Sequence, residues 1–106
     1  MTFKLVLTTS PDLPTAHTLA EGLIENKLAA CVNILPAIVS IYKWQGKLEQ
    51  SQECQLIIKT AERKMPEIHS FIKQHHPYDV PELLALDINQ GGDEYLNWLN
   101  AELSEE

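Results

Sequence analysis

The apolar positions change period along the chain, and each change marks an element. Phe3-Lys4-Leu5-Val6-Leu7-Thr8-Thr9 is a β-prone run closed by Ser10-Pro11, which predicts a first strand. Ala16, Leu19, Ala20, Leu23, Ile24 and Leu28 then recur at helical spacing, with Asp12 as N-cap and Pro14 in the first turn. This predicts an amphipathic helix laid on one face of a sheet. Residues 30–44 return to β character in two runs, Cys31-Val32-Asn33-Ile34-Leu35 and Ile38-Val39-Ser40-Ile41-Tyr42. Pro36 between them predicts a bulge or an edge position. Gln45-Gly46 supplies a turn, and Cys54-Gln55-Leu56-Ile57-Ile58-Lys59-Thr60 comes back as the next strand.

Met65, Ile68, Phe71 and Ile72 define a second helical face, with Pro66 tolerated only in the first turn. Pro77 ends that helix, because the residue before a proline is driven out of the helical region. Residues 82–88 predict a fourth strand. Gly91-Gly92 breaks to a last helix, capped by Asp93, that turns Tyr95, Leu96, Leu99 and Leu103 inward. The order is β-α-β-β-α-β plus a C-terminal helix, an α+β, ferredoxin-like sandwich with a long hairpin between its second and third strands. The hairpin is longer than the rest of so small a sheet can cover.

At 106 residues and 12.0 kDa, one domain spanning 1–106 is expected. Fifteen acids against eight bases give a formal charge of -7, which repels a phosphate backbone. Arg63-Lys64 beside Lys59 is the nearest thing to a basic patch, diluted by Glu62 and Glu67, and reads as a solvated helix start. No nucleic-acid partner is expected. No run approaches the ~20 apolar residues of a membrane span, and the N-terminal run lacks the features of a signal peptide. A cytoplasmic protein with no membrane partner is expected. Cys31 and Cys54 lie in apolar strand runs without CxxC spacing, which predicts reduced core thiols and no bridge.

Candidate chemistry is sparse. His75-His76 carries two imidazoles, the commonest metal ligands, at a helix end that Pro77 distorts. One reading lets both rings converge on a divalent ion, with Asp79 or a cysteine from elsewhere as a third ligand. The other makes one ring a partner of the helix C-terminus and the second a surface or packing group. His17 and His69 have no ligating neighbour at helical spacing and are expected in solvent. No serine or cysteine lies in a nucleophile motif. Glu49 with Glu53, and Asp79 with Glu82, read as solvated charge. No enzyme is indicated. Tyr42 and Trp44 alternate onto one face near the hairpin tip, either as a contact surface or as a small core under the last helix.

The segments Lys27-Leu28-Ala29-Ala30-Cys31-Val32-Asn33-Ile34, Ser40-Ile41-Tyr42-Lys43-Trp44-Gln45-Gly46-Lys47, Glu53 leading to Lys59-Thr60, His75-His76-Pro77-Tyr78-Asp79-Val80-Pro81-Glu82-Leu83 and Tyr95-Leu96-Asn97-Trp98-Leu99 together resemble the CutA-type divalent-cation tolerance family. The resemblance implies a homotrimer similar to the P-II signalling proteins, with hairpins of neighbouring subunits covering the open edges. It implies tolerance to copper and other divalent ions, with His75 and His76 as ligands beside a cysteine at the end of the first strand. This chain has Thr8 at that cysteine's place, which removes the soft thiolate. A weakly held copper ion, not required for folding, is the cofactor so implied. The alternative is a P-II-like sensor that binds a small molecule or partner protein in inter-subunit clefts, with no metal role.

Overall fold

The computed structural model describes residues 2–105. Along the chain run β1 (Phe3–Ser10), α1 (Leu13–Glu25), β2 (Cys31–Trp44), β3 (Lys47–Ala61), a 3₁₀ turn (Glu62–Lys64), α2 (Met65–His75), β4 (Leu84–Ile88) and α3 (Asp93–Glu102). The four strands form one sheet in the order β2-β3-β1-β4, with every neighbouring pair antiparallel. That is the ferredoxin-like order expected from the element sequence.

Alternation along β1 assigns the two faces of this sheet. Val6, Thr8 and Ser10 are fully buried under the helices. Val6 joins Leu23, Ile58, Ile68 and Ile72 in the main core, and Leu56 and Cys54 pack with Ala16 and Leu19 beside it. On the opposite face α3 covers one end only, where Phe3 and Ala61 meet Leu99 and Leu103. Among the described residues no helix covers the remainder of that face, where Leu5 and Leu7 of β1 are registered beside Ile57 of β3 and Leu84 and Leu86 of β4. Leu84 and Leu86 are about half exposed, at 56% and 47%.

Local chemistry explains the boundaries. Asp12 caps α1 by accepting the Thr15 N–H at 2.8 Å. The helix stops at Glu25, short of Leu28, because Lys27 turns left-handed at φ 57°. The Lys27 N–H then bonds to the Ile24 carbonyl and the Leu28 N–H to the Leu23 carbonyl, a Schellman closure that folds Leu28 back into the core. Gln45 and Gly46 both take positive φ, 52° and 80°, the geometry that suits a two-residue hairpin turn. The bulge predicted at Pro36 is present, with the β2–β3 register shifting between Leu35 and Ile38 and Ala37 at φ 60°.

Several expectations are corrected. β3 begins at Lys47, so the ribbon is paired to its turn. α3 has Gly92 at its N-cap position and no side-chain cap, and Asp93 is already helical. Tyr95 faces outward at 45% exposure, because the inward face of α3 is already filled by Leu96 and Leu99. Tyr42 and Trp44 are exposed rather than packed under α3. Cys54 is buried, whereas Cys31 is only half-buried at the start of β2. Lys64 is buried and ion-paired to Glu105, so the start of α2 is not simply solvated. Among the described residues no helix is long and apolar enough to cross a membrane.

Candidate functional site at the end of the second helix

Pro77 decides how the two histidines are presented. It holds His76 extended, at φ −79° and ψ 137°, so α2 ends at His75. His75 stays on the helix surface, exposed, its ring 4.4 Å from that of Phe71 one turn back. His76 turns inward and is buried, where it finishes the edge of β1. β4 pairs with β1 only as far as Leu7, which leaves Thr9 without a strand partner on that side. His76 Nε2 fills the gap, 2.6 Å from the Thr9 carbonyl. Its Nδ1 lies 3.1 Å from the Tyr78 backbone nitrogen. An N–H can only donate, so Nδ1 is the acceptor and Nε2 carries the hydrogen given to Thr9.

Tyr78 continues the wrap. Its ring packs 4.8 Å from that of His76, and its hydroxyl donates to Glu53 Oε2 at 2.7 Å. Glu53 is therefore buried, at 8% exposure, where the sequence suggested a solvated hairpin charge. Burial, and secondarily the Glu53 carboxylate, push the Tyr78 phenol well above its ordinary pKa of 10. Gln55 crosses the same end of the sheet, donating to the Thr8 carbonyl at 2.7 Å and reaching Glu82 at 3.4 Å. Residues 76–83 thus form a polar strap over the point where β1 stops and the β2–β3 ribbon runs on.

Thr8 lies within this region but points into the core. Its hydroxyl is fully buried and has no hydrogen-bond partner, so it touches neither imidazole through a hydrogen bond. Asp79 is exposed. Among the described residues no three His, Cys, Asp or Glu side chains gather as a metal shell. His17 and His69 are exposed, as expected from their spacing. The contributions of Glu53 and Gln55 were missed from sequence. Beyond the place of Glu53 among the segments that resemble the family, their signal is a polar pair flanking Cys54 within β3, which looks like any hairpin.

A family model described as CutA1 divalent ion tolerance protein matches residues 4–102. The chain belongs to the CutA family. A divalent-cation tolerance protein CutA of Yersinia pestis (strain Pestoides F) is 48% identical over 99 residues, covering 93% of this chain and 83% of the relative. The divalent cation tolerance protein Cut A1 from Thermus thermophilus is 46% identical with a TM-score of 0.90, over 92% of this chain and 94% of that one. CutA1 from Oryza sativa is 42% identical with a TM-score of 0.96, over 100% and 97%. The CutA relationship does not make His75 and His76 a resident metal centre here. Both nitrogens of His76 are committed to backbone groups, Thr8 offers a hydroxyl in place of a thiolate, and the donor set does not fit a tightly held ion.

Proposed function

We propose that this CutA protein acts in divalent-cation tolerance as a homotrimeric binding protein without a catalytic step. Copper and related divalent ions are met weakly at the His75–His76 segment rather than in a resident centre. The observation that carries the reading is the uncovered half of the sheet. Leu5, Leu7, Ile57, Leu84 and Leu86 form an apolar face that no helix covers among the described residues, and the projecting ribbon adds Val39, Ile41 and Trp44, all more than half exposed at 59%, 65% and 52%. Apolar surface of this extent calls for a protein partner. Copies of the same chain are the partner the family resemblance implies, and three is the number it gives.

Weak metal contact follows from the donors. His75 is the accessible imidazole, and His76 enters a coordination shell only by surrendering a hydrogen bond to Thr9 or Tyr78. Such a site ranks Cu²⁺ above Zn²⁺ by the general affinity order. A second reading has a specific observation behind it. His76, Tyr78, Glu53 and Gln55 are already engaged as an ordered strap beside the uncovered face, which favours a P-II-like sensor whose inter-subunit clefts take a small molecule or a partner protein.

Light scattering at micromolar concentration tests assembly, and a monomer there overturns the trimer. Copper isotherms on the wild type, His75→Ala, and His75→Ala/His76→Ala test the metal. Weak binding lost with His75 sustains the first reading. Superimposable isotherms discard it and leave the sensor.

A further inference from the structure

The root of the β2–β3 ribbon holds a buried carboxylate that no base among the described residues neutralises. Glu53 is 8% exposed. Its one hydrogen bond among those residues comes from the Tyr78 hydroxyl at 2.7 Å, a neutral donor. Ion pairs form at Lys4 and at Lys64, and Glu53 enters neither. The polar groups spaced along β3 beside it are neutral or acidic. Gln55 Nε2 lies 3.4 Å from Glu82 Oε2 on one side, and the Ser51 and Tyr42 hydroxyls meet at 3.4 Å on the other. A carboxylate at that depth is ordinarily matched by a cation, and one phenol leaves most of its lone pairs unanswered.

Strand register narrows the source of that cation. Cross-strand partners share a face, as do alternate residues of one strand. The pairs Ile38–Glu53, Ser40–Ser51, Tyr42–Glu49 and Trp44–Lys47 therefore put Glu53 and Lys47 on the same face of the ribbon. That face continues from Leu7 and Ile57, beyond the end that α3 covers. Of the chain's eight bases, Lys43 and Lys47 are the two on the outer ribbon. Lys43 is registered with Leu48 and belongs to the opposite face. Lys47 is exposed and joins none of the ion pairs. It does not reach its own Glu53, because six residues of one extended strand separate them by about 20 Å.

We propose that Lys47 at the ribbon tip of one copy seats its ammonium on Glu53 of the next copy, completing beside Tyr78 a site that a single chain leaves half made. This rests on the assembly of like chains put forward above, and it names the contact that gives that assembly a direction. Tip and root are different patches, so the contact runs head to tail and closes as a ring. Trp44, 52% exposed and registered with Lys47, arrives with the lysine and shields the pair from water. The acidic root also steers a tip lysine toward it during encounter.

Subunit exchange between isotope-labelled and unlabelled protein, followed by native mass spectrometry, reads the contact even where dissociation at equilibrium is slight. Lys47→Gln and Glu53→Gln are each expected to speed exchange about tenfold, and the double variant no more than the faster single one. Lys47→Glu and Lys43→Glu have the same net charge and both lie at exposed tip positions, so this comparison leaves the packing at the root untouched. Lys47→Glu is expected to exchange about tenfold faster than Lys43→Glu. Additive effects of Lys47→Gln and Glu53→Gln overturn the proposal, and so does equal exchange by the two glutamate variants. Mixed oligomers that form and exchange with such additivity discard the ion pair alone. A wild type that yields only monomers at micromolar concentration overturns the assembly reading, and the pair with it.

Discussion

Replacing His76 by alanine separates a structural tie from a metal ligand. The change removes two hydrogen bonds, one to the Thr9 carbonyl and one from the Tyr78 N–H. Thr9 is 7% exposed, so its carbonyl is left buried without a partner, at a cost of about 1–3 kcal/mol. Tyr78 is half-buried, and water can take over its N–H, so that loss is nearer ~1 kcal/mol. The expected total is about 2–4 kcal/mol, enough to shift a urea midpoint by roughly one molar or more at ordinary m-values. His75→Ala is the control. Its ring is exposed against Phe71, and the loss should stay within ~0.5 kcal/mol. The assay is equilibrium urea unfolding of all three proteins at one chain concentration, with m compared first. If His76→Ala unfolds with the wild type, or if the two alanine variants are equally destabilised, the strap reasoning is wrong. A copper ion that recruited His76 would work against the same bonds, losing tenfold in affinity for every ~1.4 kcal/mol it has to break.

Thr8→Val replaces a buried hydroxyl that has no partner with a methyl of similar shape, and should stabilise by about 1 kcal/mol in the same assay; a destabilised variant would mean that the hydroxyl is satisfied after all. Tyr78→Phe strips the donor from buried Glu53 and should cost about 1–3 kcal/mol. In the wild type, the raised Tyr78 phenol contributes stability below the unfolded value of 10 and loses it as pH rises through the higher folded value, so its phenolate absorbance should appear only well above pH 10 in a spectroscopic titration. An earlier appearance would contradict the burial. Thiol labelling should be slow at Cys54 in every state and faster at Cys31 in dilute than in concentrated protein, because Cys31 shares the sheet face of Lys59 that α3 covers only in part. Concentration-independent labelling of Cys31 would argue against assembly over that face.

The sequence is most legible where one residue constrains its own neighbourhood. Pro36 announces the bulge, Gln45-Gly46 the turn, and Pro77 both the helix end and the extended His76 that follows. It is least legible where burial is settled by a residue far along the chain. Glu53 is buried by Tyr78, 25 positions later, and Lys64 by Glu105, 41 positions later. A carboxylate or a lysine in an ordinary polar context carries no mark of such a partner. The end of α1 failed for a different reason. Its left-handed C′ residue is Lys27 rather than glycine, so helical spacing ran on to Leu28 across a stop that nothing punctuated. For the histidines, spacing showed that Pro77 frees the ring directions but not which acceptor lies beside them. That acceptor exists because β4 stops opposite Leu7, a fact of strand length rather than of the His-His-Pro motif.

The ribbon beyond the bulge has its own consequence for how the chain reaches its native state. The molecule measures 46 Å along its longest axis against 26 and 22 Å across, and a two-stranded hairpin without a face to pack on is marginal in water. Its inner half is braced by β1 as far as the Ser10–Cys54 pair, while the outer half, with Ile41 and Leu48 at 65% and 75% exposure, is not. In the assembly proposed above, order there is lent by neighbouring copies, and folding of this segment becomes a matter of encounter frequency. The outer amides should exchange with solvent at a rate set by protein concentration, and dilution should fray the tip while the two-helix core still holds.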